Sequence, residues 1–84
     1  MIYVSQSYPD KGSVIIKVEG SINDETLPIF EDVYNKHVSA DKRIAIDLKK
    51  IGGVDRQAKT FLKSIHSTVR FIDAPAYLKM EMGI

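Results

Sequence analysis

An 84-residue chain that is 44% hydrophobic and 27% charged makes one domain, residues 1–84, near the size at which a single core begins to suffice. Zero cysteines exclude a disulfide framework and a thiolate metal site, and a formal charge of +1 is too balanced for a dedicated nucleic-acid binder. No apolar run approaches the roughly 20 residues of a membrane helix and Met1–Gly12 lacks a signal-peptide core, so a cytoplasmic protein without membrane insertion is expected.

Ile2 and Val4 alternate with Tyr3 and Ser5, the period of a half-buried strand. Pro9-Asp10-Lys11-Gly12 has turn chemistry, and Val14-Ile15-Ile16-Lys17-Val18 reads as a second strand, paired with the first as a hairpin. Gly20 to Thr26 turns the chain into a helix with Asn23 or Asp24 as the expected cap and Asp24 and Glu25 at its positive end. Pro28 is tolerable in the first turn, where backbone N–H groups have no partner. Leu27, Phe30, Val33, Tyr34, His37 and Val38 share one face of this helix.

The stretch Arg43–Leu62 organises the chain. Ile44, Ala45, Ile46 and Leu48 form a short apolar run, expected to be a strand buried on both faces. A Gly52-Gly53 loop follows, and Asp55 stands where a helix cap belongs, ahead of Ala58, Phe61, Leu62 and Ile65 at i, i+3, i+4, i+7. Ser67-Thr68 breaks that pattern, and Val69-Arg70-Phe71-Ile72 reads as the last strand. Asp73-Ala74-Pro75 opens a short third helix with Tyr77, Leu78 and Met82 as its inner stripe. The order is ββαβαβα. It describes an α/β domain with a mostly parallel four-stranded sheet, an N-terminal hairpin strand at one edge and helices packed on it.

That order and its punctuation resemble the STAS domain of the anti-sigma-factor antagonists. Val18-Glu19-Gly20-Ser21-Ile22-Asn23 is similar to the family's strand ending in Gly-x-Leu-Asp. Thr26-Leu27-Pro28 resembles its Thr-Ala-Pro at the helix entrance. Ile46-Asp47-Leu48 with Gly53-Val54-Asp55 resembles its strand-to-loop stretch, and Ala74-Pro75-Ala76-Tyr77-Leu78 its Pro-x-Tyr-Val ending. The likeness spans residues 14–82. In switchable members a Ser or Thr follows the loop Asp and is phosphorylated by a partner kinase. Here those positions hold Arg56 and Gln57, which cannot accept a phosphoryl group, and the Gly after the serine is replaced by Ala58. The chain also ends at Ile84, where longer members add a strand and a helix, so one edge is expected either to be left open, as a surface for association, or to be covered by something else.

The resemblance puts partner docking at the loop Lys49–Gln57. Gly52, Gly53, Asp55, Arg56 and Gln57 are the candidate contacts there, with Lys59 and Lys63 on the outer side of the helix that follows. A helix start facing solvent offers free N–H groups, and five basic residues between Lys49 and Lys63 face a single acid, Asp55. The plainer alternatives are that the glycines only turn the chain, that Asp55 only caps, and that the basic stripe is the solvated face of an amphipathic helix.

His37 and His66 are the two imidazoles, without metal-ligand spacing. His37 reads as a packed or half-exposed histidine and His66 as a helix C-terminal one. Thr60 and Ser64 have no base placed beside them by local spacing, and Thr60 is the hydroxyl nearest the loop that modification could reach. No Walker or dinucleotide fingerprint is present, so no enzyme activity, cofactor or metal is expected. The resemblance implies a protein–protein interaction module whose partner is an anti-sigma factor or kinase-like regulator. Its alternatives are an accessory subunit docked on a transporter ATPase and a self-associating homodimer.

Overall fold

The computed structural model describes residues 2–83. Its elements are β1 (Ile2–Ser7), β2 (Ser13–Ile22), α1 (Leu27–Ser39), β3 (Arg43–Asp47), β4 (Ile51–Val54), α2 (Arg56–Ile65), β5 (Val69–Ile72) and α3 (Ala76–Met82). β1 pairs antiparallel with β2 across the Pro9–Gly12 turn, with Val4 opposite Val18. In that turn the Asp10 carboxylate accepts the Gly12 N–H at 2.9 Å, which holds its pKa below the usual carboxylate range. β3 lies parallel to β2 and β5 parallel to β3, so the sheet order is β1-β2-β3-β5.

A fifth strand replaces the expected Gly52-Gly53 loop, so the sheet has five strands and not four. After β3 the chain makes one tight turn, with the Ile51 N–H donating to the Leu48 carbonyl at 3.2 Å. It then runs along the same edge of β2 as β4, pairing Gly20 with Ile51 and Ile22 with Val54 through a register shift. A glycine pair reads as a turn in isolation. Here Gly52 lets two backbones meet: a Cβ on it would lie 3.3 Å from the Gly20 carbonyl oxygen.

Val14, Ile16, Val18, Ile44, Ile46 and Leu48 point to one face of the sheet and are buried. They form a single core with Phe30 and Tyr34 of α1, Ala58, Leu62 and Ile65 of α2, and Leu78 and Met82 of α3. The run Ile44–Leu48 is therefore buried on one face only, since Ala45 and Asp47 on the other face are half-buried. Tyr77 is 45% exposed and lies off the inner stripe of α3, which is carried by Leu78 and Met82. Val38 is likewise exposed, at the last turn of α1.

α1 begins at Leu27, so Asp24 and Glu25 precede its first turn. Asn23 and Thr26 bond reciprocally ahead of the helix. The Asn23 Oδ1 accepts the Thr26 N–H at 3.1 Å, and the Thr26 Oγ1 accepts the Asn23 N–H at 2.9 Å. The Thr26 hydroxyl also donates to the Ser21 carbonyl at 2.8 Å, tying the start of α1 to the end of β2. The open-edge expectation attached to Ile84 lies outside the described residues.

Candidate functional site

β2 fixes the start of α2. The Asp55 N–H donates to the Ile22 carbonyl at 3.0 Å, continuing the β4 ladder by one residue. The Asp55 carboxylate then accepts the Ala58 N–H at 2.9 Å, satisfying one of the unpartnered donors of the first turn. Ala58, Leu62 and Ile65 anchor the helix from below, and Phe61 meets Phe30 and Tyr34 edge-on at ring separations of 5.8 and 5.6 Å. With one face locked, the other presents Arg56, Gln57, Thr60 and Lys63 exposed.

Arg56, Lys59, Thr60 and Lys63 line a shallow groove of about 260 Å³, closed on its far side by Glu81 and Met82 of α3. Three of the seven site residues expected from sequence therefore converge. Gln57 is exposed at the helix start but is not in the groove lining. Gly52 and Gly53 belong to β4, and Asp55 serves as the cap. Lys59 forms an ion pair with Glu81, and Lys50 pairs with Glu19 at 3.5 Å. Among the described residues Arg56 and Lys63 form no ion pair, so they carry the groove's available positive charge. Glu81 and Met82 were not foreseen as site residues. Their place depends on α3 packing against α2, a tertiary contact without a local sequence signal.

The Thr60 hydroxyl donates to the Arg56 carbonyl at 3.0 Å, the back-bond ordinary for a helical threonine. His66 closes α2 as its C-cap. His37 is buried at 2% exposure and hydrogen-bonds through Nε2 to the Gln6 side chain, while its Nδ1 has no partner among the described residues. Burial, with Lys36 and Lys42 nearby, lowers its pKa from the ordinary 6.5. Among the described residues no group of three or more His, Cys, Asp or Glu side chains is placed to hold a metal ion. No helix among them is long and apolar enough to cross a membrane.

No family model matches the chain, and no curated protein matches it. Among solved structures it is similar to an uncharacterized protein of the DUF3478 family with a SpoIIAA-like fold from Shewanella loihica PV-4. The two share 14% identity with a TM-score of 0.62, over 95% of this chain and 72% of that one. The order of hairpin, parallel strands and helices in this chain is the one expected from the STAS resemblance. The chain thus has the SpoIIAA-like fold, the fold of the STAS anti-sigma-factor antagonists.

Proposed function

We propose that this protein is a non-enzymatic, cytoplasmic interaction module that docks a regulatory protein on the outer face of α2. By the fold's kinship that partner is an anti-sigma factor or a kinase-like regulator. The observation that carries the reading is the capped, rigidly seated α2, which holds Arg56 and Lys63 in one groove without internal ion-pair partners. Fixed cations of this kind steer an acidic partner and set its register. Arg56 and Gln57 occupy the positions where a phosphoacceptor would stand, so docking is not switched by phosphate there. Gly52, Gly53 and Gln57 would border the contact and Lys59 would support it through α3.

The test is affinity capture from the native cell with wild-type protein and the Arg56→Glu/Lys63→Glu variant as parallel baits. A regulatory protein held by the wild type and lost from the variant, with matched circular dichroism, is the expected result. An identical set of captured proteins would overturn the reading.

A further inference from the structure

Among the described residues no element covers the sheet face turned away from the helices. Parallel sheets ordinarily carry a layer on both faces. Here β2, β3 and β5 form a three-stranded parallel platform with helices on one side only. Ile15, Ala45 and Ile72 project from its free side and are half-buried. With Pro9 and Asp10 of the hairpin turn as a wall, they line an open trough of about 500 Å³.

Arg43 and Arg70 belong to the same lining. Both are exposed, and neither forms an ion pair among the described residues. The ladder sets Arg70 beside Ala45, two residues along β3 from Arg43, so their Cα atoms stand about 8 Å apart. The carboxylates of this face are held by local bonds. Asp10 accepts the Gly12 N–H, Asp47 accepts the Lys49 N–H, and Glu19 pairs with Lys50. The trough thus combines an apolar floor with two guanidinium forks and one carboxylate, Asp10, whose charge interacts with that of Arg43, and it keeps a net positive charge.

We propose that this face docks an amphipathic helix of a partner protein whose apolar stripe is flanked by Asp or Glu. Two inter-strand spacings, from β2 to β5, make a platform about 10 Å wide, which matches the diameter of a helix with its side chains. Guanidinium groups take carboxylates in bidentate geometry, which fixes the helix along the strands. A second copy of this chain is a poor occupant. A two-fold interface sets the same patch on both subunits and would turn the net positive trough against itself. The surface lies on the side of the sheet opposite α2, so it is separate from the groove of Arg56 and Lys63.

The experiment is a methyl-resolved NMR titration of the full chain with a synthetic helical peptide of about 20 residues, bearing a Leu stripe flanked by Glu. Its Lys-for-Glu counterpart and anionic lipid vesicles serve as parallel probes. The Glu peptide should shift the Ile15, Ala45 and Ile72 methyls saturably and leave Ile16 and Ile46 in place. Arg43→Glu with Arg70→Glu should weaken that peptide by about tenfold or more and favour the Lys peptide. Both substitutions are on exposed side chains, and unmoved Ile16 and Ile46 methyls report that the variant is folded. The proposal fails if the Glu peptide does not bind, if it moves α2 methyls such as Leu62 instead, or if the variant binds it equally. It also fails if vesicles alone perturb the face, or if a dimer of the chain covers it. None of these failures touches the α2 groove, whose residues are unaltered.

Discussion

Gly52 and Gly53 are neighbours with unlike roles. A methyl at Gly52 would press on the Gly20 carbonyl at 3.3 Å, backbone against backbone, whereas at Gly53 it would meet the Ser21 Oγ at an ordinary 3.6 Å. Gly52→Ala should therefore cost about 1–3 kcal/mol in urea unfolding, the range for overpacking a tight site. Gly53→Ala should be close to neutral. Asp55→Ala should cost about 1 kcal/mol, because the Ala58 N–H loses its acceptor, and Asp55→Asn should restore most of it. His37 sets a pH dependence. Its folded pKa lies below the ordinary value of 6.5, so the unfolded chain binds the proton first as pH falls. Stability should be at its full value above that pH and should decline as pH falls from 6.5 toward the folded pKa. Urea unfolding at a series of pH values should show this slope, and His37→Gln should flatten it. The place of His37 on the α1 face left it packed or half-exposed, and the structure buries it; its partner Gln6 lies 31 residues away and has no local signal.

At the scale of elements, α3 is short yet seals one end of the core with Leu78 and Met82, both essentially fully buried. Leu78→Ala should cost about 2–5 kcal/mol, a large share of a small domain's stability, as read by the urea midpoint. The Lys59–Glu81 pair between α2 and α3 is partly exposed. Glu81→Ala should thus change stability by about 1 kcal/mol or less while freeing the Lys59 charge in the groove. Periodicity identified both major helices and the strands they alternate with, because each buries one face and the alternation is written into the residues. β4 escaped it. Its four residues include two glycines and their pairing is with a strand some thirty positions earlier, so the local pattern carried turn chemistry only. Tyr77 shows the same limit: helical spacing proposed it beside Leu78 and Met82, but packing buries only the latter two.

For the molecule as a whole, a radius of gyration of 11.8 Å equals the roughly 12 Å expected of a compact chain this long. A single helical layer therefore suffices for compactness, and the free sheet face is not the mark of an expanded state. The sequence reading had assumed a strand buried on both sides at Ile44–Leu48. Ala45, small and apolar, fits either environment, so composition does not decide which face is covered. The groove was partly legible because Arg56, Lys59 and Lys63 share one helix side. Its far wall was not, being supplied by α3. The two proposed surfaces lie on opposite sides of the sheet, so occupying one would leave the other free. An acidic helical peptide and the partner captured through α2 should bind together without competition, as a ternary complex in analytical ultracentrifugation.

β2 has strands on both edges along Ile15–Lys17, with β1 on one side and β3 on the other. In deuterated solvent its amides have no local opening that would free them without parting the sheet. They should be the last to exchange, and their rates should give the free energy of complete unfolding directly. The amides of α3 should exchange sooner. One strand thus acts as a built-in gauge against which the cost of any substitution elsewhere can be read.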